Sequence, residues 1–97
     1  MHLRWHELYQ DVRGELEEEN RRNLQLGLAV EPTSEWRVGA AVAERDAVSH
    51  PECWADYLTP EGEFDARLER SAADRVLMAI RRTQKALQIA QTRIRGA

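Results

Sequence analysis

The three prolines of this chain divide it into two long proline-free segments and a short middle. Pro32, Pro51 and Pro60 leave 31 residues before the first proline and 37 after the last. Because proline lacks an amide proton and clashes with the preceding turn, it interrupts helices. A length of 97 residues suits one domain. We therefore predict a single all-α domain, residues 1–97, in which two long helices form an antiparallel hairpin joined by one or two short bridging helices.

Apolar residues in the first segment recur with the spacing of a helix. They fall four residues apart, with one polar member at Asn20: Leu8, Val12, Leu16, Leu24 and Leu28. This spacing places them on one helix face rather than on a strand. We predict a helix from about Leu3 to Gly27.

The region around Pro32 is compatible with two structures. Apolar residues alternate with period two on both sides of it, so a small β-hairpin at about residues 24–42 is one alternative. Glycine and alanine are poor strand residues, and Thr33 or Ser34 before Glu35 suits a helix N-terminus. We therefore favour a helix from Ser34 to Val48, followed by a short helix that begins near Pro51.

Three tryptophans stand out in a chain with one phenylalanine and two tyrosines. Trp5, Trp36 and Trp54 are expected to supply bulk to the core. Of the three, Trp5 is expected to be the most exposed, because it lies near a terminus.

The last segment has the most regular pattern. Positions 73, 80, 87 and 94 are seven apart, and 76, 83 and 90 lie between them, which is the alternating three-and-four spacing of a coiled-coil face. We predict a helix from Glu63 to Ile94. Its large apolar residues form a predicted interaction seam: Val76, Ile80, Leu87 and Ile94. Thirteen alanines among the apolar residues leave few bulky side chains for a core, so we expect self-association as a homodimer or a protein partner.

Charge is distributed unevenly. Residues 1–63 carry 6 basic and 14 acidic side chains, whereas residues 64–97 carry 8 basic and 3 acidic. A basic flank beside the seam contains no acid after Asp74: Arg75, Arg81, Arg82, Lys85, Arg93 and Arg95. Arginines that flank an apolar seam are typical of coiled-coil edges and select acidic partners. Phosphate binding is the alternative, although the overall charge of −3 opposes attraction to a polyanion.

Every histidine and the single cysteine of the chain fall into two pairs with helical spacing. His2 and His6 are four apart, and His50 and Cys53 are three apart. These residues would supply four zinc ligands if the two pairs met, but no Cys-x-x-Cys pair accompanies them. We therefore predict no metal site and no cofactor. Since no motif supplies a nucleophile with its base and oxyanion site, we also predict no enzymatic activity.

The remaining expectation concerns function. A single cysteine cannot form an internal disulfide, which indicates a reducing compartment. The residues from Met1 to Glu7 contain no apolar stretch typical of a signal peptide, and the longest apolar or glycine run, Val38 to Ala43, is too short to span a bilayer. We expect a cytoplasmic protein without membrane association.

The predicted function is a small adaptor, inhibitor or assembly factor that presents its C-terminal amphipathic helix to another protein. The alternative is a nucleic-acid-binding regulator that uses the same arginine-rich helix.

Overall fold

A computed structural model describes residues 3–95 of the chain. It contains three α-helices: α1 (Arg4–Gln25), α2 (Glu35–Ser49) and α3 (Glu69–Arg95). Short 3-10 helices cover Pro51–Tyr57 and Ala66–Leu68. The all-α prediction is confirmed. The two long helices are the first and the last, but they do not form the predicted antiparallel hairpin, because each runs antiparallel to α2 and α1 and α3 therefore run in the same direction.

The end of α1 explains why the competing β-hairpin does not form. Gly27 has a positive φ of 71°, and the amide of Leu28 donates to the carbonyl of Asn23 at 2.8 Å. This is the glycine-dependent closure that commonly ends helices. The Asn20 amide then donates to Glu31 O at 2.6 Å and to Thr33 Oγ1 at 3.1 Å. The alternative of a hairpin at 24–42 is wrong, since residues 3–95 contain no strand there and α2 begins at Glu35.

α2 is the central helix, and it packs more extensively on α3 than α1 does. It runs antiparallel to α1, because Asp46 near its end meets Arg4, while the linker before it meets Asn20. It also runs antiparallel to α3. Glu35 at its start contacts Arg81, and a Cβ built on Gly39 would lie 3.1 Å from the carbonyl oxygen of Ala73. A glycine at position 39 therefore permits the close approach of these two helices.

The last helix begins later than the predicted Glu63. Phe64 instead forms an isolated antiparallel bridge with Leu58 across a tight turn. Asp65 then accepts the backbone amide of Arg67 at 3.0 Å, which caps the 3-10 turn that precedes α3. The C-terminal end agrees with the sequence pattern to within one residue, since α3 ends at Arg95.

A buried carboxylate joins α1, α2 and the first 3-10 helix. Asp46 is 3% exposed, and its Oδ2 accepts the indole N–H groups of Trp5 and Trp54, each at 2.8 Å. The Arg4 guanidinium is the third donor to this carboxylate, with its Nε 3.0 Å from Oδ1. The expectation that Trp5 is the most exposed of the three tryptophans is wrong, because its indole N–H is bonded to this buried carboxylate and Trp5 is 8% exposed. Trp5 and Trp54 supply bulk to the core as predicted, whereas Trp36 is 38% exposed and does not.

Candidate docking helix

The C-terminal third of α3 extends past the start of α2. Arg81 contacts Glu35, the first residue of α2, and Thr83 is the last buried residue of α3. Residues 84–95, which we call the α3 tail, continue as helix for about 18 Å at 1.5 Å per residue. No residue of the tail is buried, since α2, the helix on which α3 packs most extensively, begins level with Arg81.

The predicted seam continues from the core onto this tail. Val76 and Ile80 are 0% and 4% exposed and belong to the core. Leu87 is 37% exposed and Ile94 is 79% exposed. All four keep the three-and-four spacing of one helix face. One half of the seam therefore stabilises the monomer, and the other half faces solvent.

Arg75, the first member of the predicted basic flank, takes part in the packing of the fold. Its guanidinium lies 4.5 Å from the ring centre of Trp54 and 5.2 Å from that of Trp5. Its Nη1 also donates to the Cys53 carbonyl at 2.7 Å. Stacking of a cation on aromatic faces contributes to stability. Arg75 thus covers the tryptophan cluster from the α3 side.

The other members of the basic flank are exposed along α3. Arg81 makes a long contact of 3.4 Å with Glu35, and both side chains are largely solvated. Four further cations form no ion pair among residues 3–95 and are exposed: Arg82, Lys85, Arg93 and Arg95. Arg93 and Arg95 lie in the last turn, where cations complement the helix dipole.

An open groove of about 430 Å³ lies at the C-terminal end of α2, away from the end where Glu35 contacts Arg81. Its apolar lining combines Ala47 and Val48 of α2 with Leu58 and Phe64 of the bridged turn. Two carboxylates, Glu44 and Glu63, complete the lining with Gly62. Sequence reasoning missed this groove, because the bridge that places Phe64 beside α2 has no local signature.

A second exposed apolar surface surrounds the end of α1 and the linker. Its members are between 45% and 73% exposed: Leu24, Leu26, Leu28 and Val30. These residues produced the period-two pattern in the sequence. In the structure they flank a helix end and an irregular linker rather than forming a continuous helix face.

The histidines and the cysteine do not assemble into a site within the described residues. His50 Nδ1 lies 3.6 Å from Glu52 Oε1, and Cys53 Sγ accepts Arg4 Nη2 at 3.8 Å. Within residues 3–95 no three or more His, Cys, Asp or Glu side chains could together hold a metal ion. His2 lies outside the described residues.

Among the helices of residues 3–95, none combines the length and hydrophobicity needed to cross a membrane. The chain matches no protein-family model, no curated protein and no solved structure.

Proposed function

We propose that this protein is a non-enzymatic interaction module that docks onto other proteins through the seam of its α3 tail. The observation that carries the proposal is the continuity of the seam across Thr83. Val76 and Ile80 are covered by the chain itself, whereas on the same face Leu87 is only partly covered and Ile94 is almost fully exposed. An amphipathic helix that buries such a face on a partner is a common mode of protein recognition.

The charges beside the seam indicate the kind of protein surface that fits. Residues 75–95 carry six basic side chains and no acidic one. A partner that supplies carboxylates around an apolar surface would therefore gain both apolar burial and charge attraction. The apolar contacts would supply most of the affinity, and the cations would accelerate association and exclude basic partners.

An acidic amphipathic peptide tests this proposal. The probe is a labelled helical peptide with leucines on one face and glutamates beside them, titrated with the full chain and followed by fluorescence anisotropy. We expect saturable binding by the wild-type chain. Combining Leu87→Asp with Ile94→Asp should weaken it by about tenfold or more, because central apolar contacts dominate binding energies.

A matched variant is available on the same helix. Met78 and Ile89 are 53% and 45% exposed on the opposite face of α3, so Met78→Asp with Ile89→Asp adds the same charge without touching the seam. This variant should bind the peptide with less than about a threefold loss. Equal loss in both double variants would overturn the proposal, because it would show general charge attraction rather than docking by the seam.

Nucleic-acid binding is the second candidate, and one observation favours it. Arg82 and Lys85 are exposed and, at 100° per residue, point away from Leu87 and Ile94, so a pair of cations lies on the side of α3 that the seam does not use. Labelled DNA and RNA, titrated at low salt, test this candidate. Phosphate contacts predict binding that falls steeply with salt and is weakened no more by Leu87→Asp with Ile94→Asp than by Met78→Asp with Ile89→Asp, because each variant adds two negative charges to the same helix. Absence of binding at low salt would contradict it.

A further inference from the structure

We propose that the groove at the end of α2 is the docking site for the α3 tail of a second copy, so that two chains pair reciprocally. This inference rests on the proposed docking function of the tail and names its occupant. The seam and the groove are both apolar and both incompletely covered in the monomer: Ile94 is 79% exposed, and Val48 in the groove is 83% exposed. Burying them together would remove both from water.

Charge complementarity selects this pairing. Arg93 and Arg95 lie on either side of Ile94 in the sequence, and Glu44 and Glu63 line the groove. All four are exposed and form no ion pair among residues 3–95. The imbalance extends beyond them, since residues 44–65 carry seven acidic and one basic side chain, against six basic and no acidic in residues 75–95.

The same charges disfavour the simpler coiled-coil dimer. Pairing two tails along their seams would bring two cationic segments together, with no carboxylate in either. Like charges in an interface oppose association. Docking of a tail into a groove brings opposite charges together instead.

The geometry excludes occupation of the groove by the tail of the same chain. α2 and α3 meet at the contact between Glu35 and Arg81. From that contact the groove residue Val48 lies 13 residues along α2, and Ile94 lies 13 residues along α3 in the opposite direction. At 1.5 Å per residue, the two sites are about 40 Å apart on continuous helices.

Opposite placement of tail and groove also allows the assembly to close. If two copies lie side by side in antiparallel orientation, each tail reaches the groove of the other. Both grooves are then occupied in a dimer with two-fold symmetry, which is the commonest symmetry of soluble oligomers. A closed dimer is therefore expected rather than an open filament.

Charge reversal tests the groove and the tail separately. The groove variant is Glu44→Arg with Glu63→Arg, and the tail variant is Arg93→Glu with Arg95→Glu. Sedimentation equilibrium of the wild-type chain should show a dimer. Each variant alone should dimerise at least about tenfold more weakly, since its tail and groove carry like charges. An equimolar mixture should recover a heterodimer, because both of its contacts pair opposite charges.

The results separate this inference from the proposal on which it rests. A wild-type chain that is monomeric at all concentrations overturns reciprocal docking, while the peptide titration still decides whether the tail binds proteins. A dimer weakened by the tail variant alone, or variants that do not recover on mixing, overturns the assignment of the groove. A dimer that is insensitive to the tail variant and to Leu87→Asp with Ile94→Asp also overturns reciprocal docking, and the peptide titration again decides whether the tail binds proteins. Circular dichroism of each variant confirms that the helices are retained.

Discussion

Asp46 is a charged residue in the core of a small domain, and its environment explains why that is tolerated. Burial by itself would raise the pKa of Asp46, but the hydrogen bonds from Trp54, Trp5 and Arg4 outweigh it and leave the pKa below its ordinary value of 3.8. A depressed carboxyl pKa means that the folded state favours the carboxylate. The stability it contributes is present above the ordinary pKa and is lost as the pH falls through the folded pKa.

The pH dependence of stability follows from this carboxylate. Asp46→Asn should lower the free energy of unfolding by about 2–3 kcal/mol at neutral pH, because it removes the charge and presents an amide donor near the indole donors. The difference from wild type should shrink as the pH falls below the ordinary carboxyl pKa of 3.8 and through the lower pKa of the folded state, where the wild-type carboxyl also becomes protonated. Urea unfolding at several pH values measures the difference. A difference independent of pH would contradict this role for the carboxylate.

Arg75 and Arg93 are predicted to have separate roles, although both belong to the predicted basic flank. Arg75 stacks on Trp5 and Trp54, and Arg93 is exposed without an ion pair among residues 3–95. Arg75→Gln should lower the free energy of unfolding by about 1 kcal/mol through the lost cation–π contacts. Arg93→Gln should change it by less than about 0.5 kcal/mol. Thermal denaturation compares the two, and equal effects would contradict the distinction.

At the scale of elements, the contact between α2 and α3 depends on Gly39. A Cβ at this position would meet the Ala73 carbonyl oxygen at 3.1 Å and Leu77 Cγ at 3.3 Å. Gly39→Val should therefore lower the free energy of unfolding by about 1–3 kcal/mol, because the helices must move apart. Gly14 is the control, since nothing lies within 4 Å of its added Cβ. Gly14→Ala should raise stability by about 0.5–1 kcal/mol. Destabilisation by both substitutions in a urea titration would contradict this account.

The helices could be predicted from local patterns, but their mutual arrangement could not. Spacings of three and four residues indicated α1 and α3, and Gly27 indicated where α1 ends. The partners of Asp46 lie 41 and 42 residues away in α1 and eight residues away in the first 3-10 helix. Local sequence patterns do not predict contacts between residues so far apart in the chain. For the same reason the sequence identified the seam as a whole, without showing that it becomes exposed after Thr83.

The late start of α3 has a similar cause. Phe64 and Leu68 fit the helical spacing of the last segment, which predicted a helix from Glu63. In the structure Phe64 pairs with Leu58 instead, and Asp65 caps the following turn. The bridge closes a turn in which Gly62 has a φ of 83°. This turn takes the place of the first residues of the predicted helix.

At the scale of the whole molecule, the described chain is flat, with extents of 50 × 40 × 19 Å. The C-terminal end of α2 lines an apolar groove that also contains acidic residues. The α3 tail, with its exposed cations, projects beyond the N-terminal end of α2. A thin, alanine-rich core holds the three helices together, and the seam extends past it. The distribution of charge and apolar surface is the basis of the proposal that the protein acts by association.

Hydrogen–deuterium exchange along α3 tests the central claim most directly. In dilute wild-type protein, amides within residues 72–83 should exchange slowly, and those of the α3 tail should exchange faster, because that part of the helix lacks tertiary cover. Addition of the acidic amphipathic peptide should protect the tail, and Leu87→Asp with Ile94→Asp should abolish that protection. Protection elsewhere in the chain, with the tail unchanged, would contradict the claim that the α3 tail is the docking surface.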